Sequence, residues 1–131
     1  MTLTQALGAL HKAGRIASPW RPGMRAIFDR KMIGGRVPFR RSDDGLRWLF
    51  PSDIERENSI IDAEAEVDLA DAATVGCLAA LAREASGDPS AHARPRGELW
   101  EVVVGSGPDD VGVATEGEAW AAVLIARAGA L

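Results

Sequence analysis

The chemistry this sequence could offer is concentrated in two stretches of opposite charge. The first interleaves basic side chains with aromatic rings: Trp20, Arg21, Arg25, Phe28, Arg30, Lys31, Arg36, Phe39, Arg40, Arg41, Arg47 and Trp48. Guanidinium forks match phosphate oxygens and exposed rings stack on unpaired bases. Arg25, Lys31, Arg36, Arg40 and Arg41 therefore form a candidate contact set for nucleic acid or a protein partner. The second stretch is acidic: Asp53, Glu55, Glu57, Asp62, Glu64, Glu66 and Asp68, followed by Asp71. Carboxylates at that density could occupy a basic, nucleic-acid-binding groove on another protein, or simply keep a linker solvated. Trp20 is a third candidate. Pro19 and Pro22 deny it a helix or strand, so its ring either folds back over the first helix as a lid or stands exposed as an interface anchor.

Other chemistries lack the residues they need. The histidines are His11 and His92 and the one cysteine is Cys77, with none of the paired spacings a zinc site uses. Cys77 falls within a helical pattern beside Leu78, without a nearby base, and reads as a small packed thiol. Gly105-Ser106-Gly107 is followed by Pro108, Asp109 and Asp110, whose carboxylates would repel a phosphate. The pairs Asp43/Asp44, Asp109/Asp110 and Glu116/Glu118 sit at turns or at a helix start, where turn formation and the helix dipole already account for them. The sequence predicts no cofactor, no metal and no enzymatic activity. A small enzyme whose pocket gathers scattered residues stays open as an alternative, and Cys77, His11 or His92 in a concave pocket would be its sign.

These residues need elements to position them. Thr2 and Gln5 fit a capping box ahead of Leu3, Ala6, Leu7 and Leu10 at helical spacing. Residues 24–50 alternate as a three-strand meander, with Met24, Ala26, Phe28, Val37, Phe39, Trp48 and Phe50 facing inward. Pro38 cannot donate to a ladder, which places its strand at an edge or on a bulge. Asp71 caps a helix running to Ala85, with Gly87 beyond its end. His92 falls in a polar loop, Leu99–Val104 forms a strand, and 111–114 forms a return strand. Thr115 and Glu118 make a second capping box for a last helix with Ala119, Trp120, Val123, Leu124 and Ala128 as its buried stripe. The order α-β-β-β-linker-α-β-β-α predicts an α+β fold with three helices and an antiparallel sheet of about five strands.

With 131 residues, 47% of them hydrophobic, the chain suits one folded domain and is too apolar for a disordered one. The expected organisation is a single domain, 1–131, with a basic meander half at 1–51, an acidic linker at 52–70 and a helix–hairpin–helix half at 71–131. Residues 1–51 carry ten Lys and Arg against three Asp and Glu, whereas 52–131 carry five against sixteen. That asymmetry marks either a nucleic-acid surface or two halves that attract one another within one fold. No apolar run approaches the roughly 20 residues of a membrane span. A lone cysteine and the lack of a signal-like start predict a cytoplasmic protein, monomeric or homodimeric.

The run 71–85, then Gly87-Asp88-Pro89, Trp100, Val102 and Thr115-Glu116-Gly117-Glu118-Ala119 resembles small uncharacterised bacteriophage and prophage proteins with an α-β-α sandwich-like domain. The resemblance covers the C-terminal half and carries no catalytic signature. It implies a mobile-element accessory protein inside a bacterial cell. Together with the missing catalytic constellations and the bipolar charge, the expectation is a protein that binds a host or phage protein, for instance to inhibit a defence or replication component. Binding of nucleic acid by the basic meander is the other reading.

Overall fold

The computed structural model describes residues 1–30, 35–49, 62–105, 107–108 and 112–131. Lys31, Phe50, Asp53, Glu55, Glu57, Asp109 and Asp110 lie outside the described residues. Helix α1 (Leu3–Lys12) starts at the expected capping box: Gln5 N–H donates to Thr2 Oγ1 at 3.1 Å, and Thr2 N–H donates to Gln5 Oε1 at 2.9 Å. Ala6, Leu7 and Leu10 are its buried face. Helix α2 (Ala72–Ser86) is capped by Asp71 and ends at Gly87, whose φ of 64° is the left-handed conformation glycine tolerates. Helix α3 (Glu116–Gly129) starts at Thr115, which accepts from Glu118 N–H at 3.1 Å, and it buries the stripe Ala119, Trp120, Val123, Leu124 and Ala128.

The strands divide into two antiparallel sheets instead of one. The first contains β1 (Arg25–Arg30), β2 (Gly35–Arg41), β3 (Trp48–Leu49) and β4 (Glu66–Val67), in the order β3-β2-β1-β4. The connector before it is more ordered than its prolines suggest. Met24 N–H donates to Arg21 O with Pro22 and Gly23 between them, and Gly23 has φ 85°, the signature of a type II turn. Gly23 N–H then donates to Arg41 O while Arg41 N–H donates to Met24 O, so two residues oppose one in a glycine bulge. The same bonds show that Met24 O, and with it the backbone groups of Ala26 and Phe28, point to β2, and those of Arg25 away from it, since Arg25 O accepts from Asp68 N–H. Pro38, opposite Ile27, is therefore at a non-bonded position of the β1–β2 ladder. Its strand is internal, not an edge, and no bond to β1 is lost.

The second sheet contains β5 (His92–Arg96), β6 (Leu99–Val104) and β7 (Gly107–Pro108), in that order. His92 is thus on a strand, not in a loop. Trp100 exchanges both backbone bonds with Val113, at 2.7 and 2.9 Å, so the even residues of β6 bond toward β7 and the odd ones toward β5. In β5, His92, Arg94 and Arg96 are the bonded partners, whereas Ala93 and Pro95 face the open edge. Pro95 leaves the ladder intact there and blunts the edge. The expected return strand at 111–114 is reduced, among the described residues, to the bridge at Val113, because the chain turns back early through Gly105 (φ 66°) into β7.

Helices α1 and α2 both pack on α3, which also covers β5 and β6. A Cβ at Gly117 would overlap the Leu69 carbonyl, so glycine lets the first turn of α3 sit directly on the end of the acidic passage. Trp20, Trp48, Phe28 and Phe39 form a chain of edge-on rings with centroids 5.1, 5.2 and 5.4 Å apart.

Candidate interaction surface

The sequence left open whether the basic and acidic residues form separate surfaces or attract one another within one fold, and the structure joins them. Arg25 pairs with Asp68, and Arg36 with Glu66 at 2.6 Å. Arg40 makes a fork with both oxygens of Asp71, each 2.9 Å away, and also donates to Gly23 O. Arg41 pairs with Asp62 at 3.1 Å. Each described member of the basic contact set therefore meets a carboxylate of the acidic passage. Arg21 extends the seam to Glu84 on α2, whose other carboxylate oxygen accepts from Ala17 N–H.

Two expectations are corrected outright. Arg41 was expected as an accessible contact, but its side chain is 9% exposed: Nε donates to Gly45 O and its guanidinium lies over the Trp48 ring, 4.9 Å from the centroid. The passage 62–71 is not a solvated linker either. Asp62–Glu64 makes a turn of 3-10 helix, Ala65 and Val67 are buried, and Asp62 Oδ1 accepts from Trp48 Nε1 at 2.8 Å. Glu64 alone of its described acidic residues is an exposed carboxylate with no partner among the described residues.

Asp71 is the best-held acid. The hydrogen bonds from Arg40 keep it far below the usual carboxylate range, burial opposes that, and Thr74 N–H and Oγ1 reinforce it. Thr74 Oγ1 also accepts from Arg25 N–H at 2.7 Å, which ties the first strand to the first turn of α2. Trp20, at 4% exposed, is packed against Trp48 and belongs to the buried cluster with Leu7 and Leu10. The exposed anchor has no exposed ring to work with.

Two concave regions flank α1. One of about 310 Å³ is lined by Thr4, Gln5, Gly8, Pro19, Trp20, Asp62 and Ala63 and is almost wholly apolar. Its neighbour, about 440 Å³, is lined by the first turn of α1 and by Ala63, Ala65, Glu66, Val67 and Leu69. Neither contains Cys77, His11 or His92. Cys77 is half-buried with Sγ 3.7 Å from Pro22 O, and burial pushes its thiol up, away from the thiolate a nucleophile needs. Among the described residues no three metal-capable side chains gather, and no helix is long and apolar enough to cross a membrane.

Sequence reading missed a third surface, the outer face of the second sheet. Pairing puts His92, Arg94 and Arg96 on one face with Leu99, Glu101 and Val103. Glu101 is only 3% exposed and binds Arg94 Nε at 2.6 Å and Arg96 Nη1 at 3.5 Å. Those bonds, Arg94's first, lower its pKa. Leu99 stands beside them, 45% exposed. The signal was there: a two-residue turn at Gly97-Glu98 pairs Arg96 with Leu99 and Arg94 with Glu101 and so puts all four on one face, but Pro95 disguised the strand.

No family model, curated protein or solved structure matches this chain.

Proposed function

We propose that this chain is a non-enzymatic accessory protein of phage or prophage type, acting in the bacterial cytoplasm by binding a host or phage protein, such as a defence or replication component. The observation that carries the reading is the outer face of the second sheet. Leu99 offers an apolar contact, and Arg94 and Arg96 flank it with their guanidinium groups fixed in advance by Glu101. Fixing a long side chain before binding removes part of the entropy cost of association, and arginine is among the residues that dominate interface energetics. The phage setting rests on the resemblance at 71–128.

The seam supports protein over nucleic acid as the partner. Arg25, Arg36, Arg40 and Arg41 are each engaged by an internal carboxylate, so phosphates would have to displace them. The test places a photo-crosslinking residue at Leu99 and, as a control, at exposed Ala126 on α3. Host lysate should yield a protein adduct from position 99 alone, lost when Arg94→Glu and Arg96→Glu are combined. Equal adducts from both positions would sink the reading. Binding to single-stranded DNA or RNA that falls steeply with salt would transfer it to the nucleic-acid alternative.

A further inference from the structure

The outer face of α1 is unusual for a helix that packs so well on its inner side. Gly8 stands at its middle, exposed, with nothing within 4 Å of where a Cβ would be. A glycine in the middle of a helix is less favourable than alanine, because its backbone loses more freedom on folding. Among the described residues no internal neighbour requires it. Thr4, Gly8 and Lys12 follow at intervals of four, one above the other on that face. The concave region beside Gly8 is apolar and open.

Charge is distributed along this face in a self-complementary way. The acidic passage runs beside the N-terminal part of α1: Thr4 Oγ1 donates to Ala65 O at 2.6 Å, and Asp62 lines the cleft with Thr4, Gln5 and Gly8. Glu64, in the same 3-10 turn as Asp62, is exposed and unpaired among the described residues. At the other end, Lys12 and Arg15 are exposed, and neither has an ion-pair partner among the described residues. One end of the face is therefore rimmed by carboxylate and the other by cations unpaired among the described residues.

We infer that this face binds a second copy of the chain, α1 against α1 in antiparallel fashion across a two-fold axis near Gly8. Four residues of helix rise about 6 Å. A crossing at Gly8 thus sets Lys12 of one copy against Thr4 of the other, where the Asp62–Glu64 rim begins. Symmetry makes the same contact twice, as a closed isologous dimer requires. Glycine at the crossing lets the two backbones approach. Two ten-residue helices make a small contact, so the dimer is weak and its population depends on concentration.

Sedimentation equilibrium of the full chain tests this. The wild type should show a reversible monomer–dimer equilibrium. Gly8→Leu, which fills the cleft from an exposed position, should leave a folded monomer by circular dichroism. Lys12→Glu with Arg15→Glu should weaken association roughly tenfold or more, about 1.4 kcal/mol, and Glu64→Lys should do the same. Mixing those two variants should restore a one-to-one dimer, because each reversed rim then meets a reversed or native partner of opposite sign. A wild type that stays monomeric up to its solubility limit overturns the inference. So does a dimer indifferent to Gly8→Leu or to the charge swaps. Crosslinking from Leu99 reads the other surface, so the two proposals fail separately.

Discussion

At Trp20 the chain offers no regular element to hold a large ring, yet the ring is almost fully buried, edge-on to Trp48. The type II turn at Pro22-Gly23 and the bulge against Arg41 fix the connector and aim the ring inward. Trp20→Ala should therefore cost on the order of 3 kcal/mol, read as a shift of the urea midpoint. A loss well below 1 kcal/mol would show that the ring contributes little to the core. The sequence constrained Trp20 to two positions because the prolines exclude helix and strand. Choosing between them needed the partner ring, which lies 28 residues away and is brought close only by the meander. Arg41 shows the converse. Its type and neighbours suggested a surface contact, and only the fold reveals Trp48 beneath it and Asp62 beside it.

Helix ends were the most legible elements, because a cap depends on residues within one turn of each other. Thr2, Asp71 and Thr115 all accept from the first turn as their spacing requires, and the reciprocal capping box closes at Thr2 and Gln5. Strands that rely on distant partners were less legible. β4 is two residues long, and β5 contains a proline whose harmlessness depends on which way its nitrogen points. Asp71 does two jobs that substitution can separate. Asp71→Ala removes both the α2 cap and the fork from Arg40 and should cost about 2 kcal/mol. Asp71→Asn keeps a capping oxygen and loses the charge pair, so it should cost less. Equal losses for the two variants, measured by urea denaturation, would mean that the cap contributes nothing. A negligible loss for Asp71→Asn would mean that the Arg40 fork is energetically silent, as many exposed pairs are.

On the scale of the whole molecule, the division into basic and acidic halves was plain in the sequence, but its meaning was not. A charge count cannot distinguish a surface offered to a partner from two surfaces offered to each other, since that depends on the relative placement of residues 25–41 and 62–71. The seam settles the placement and carries a consequence for acid stability. Asp71 and Glu84 on the seam, and Glu101 on the second sheet, all have pKa values lowered in the folded chain: Asp71 chiefly by Arg40, Glu84, against the opposing effect of its burial, by Arg21 and Ala17 N–H, and Glu101 chiefly by Arg94. A depressed carboxylate contributes stability that is fully present above its unfolded value. As pH falls below about 4, the unfolded chain takes up protons first, and the contribution drains away until the folded carboxylates titrate as well. The urea midpoint should therefore be flat from neutrality down to about pH 5 and fall progressively below about pH 4. Arg40→Gln should make that fall shallower, because Asp71 loses its main source of depression and keeps only its bonds to Thr74. The variant should also take up fewer protons on unfolding at acid pH, which parallel titration of the folded and urea-unfolded chains measures directly. An acid slope unchanged by Arg40→Gln would show that the Arg40–Asp71 fork does not couple folding to protonation, and the seam would then be a matter of geometry alone.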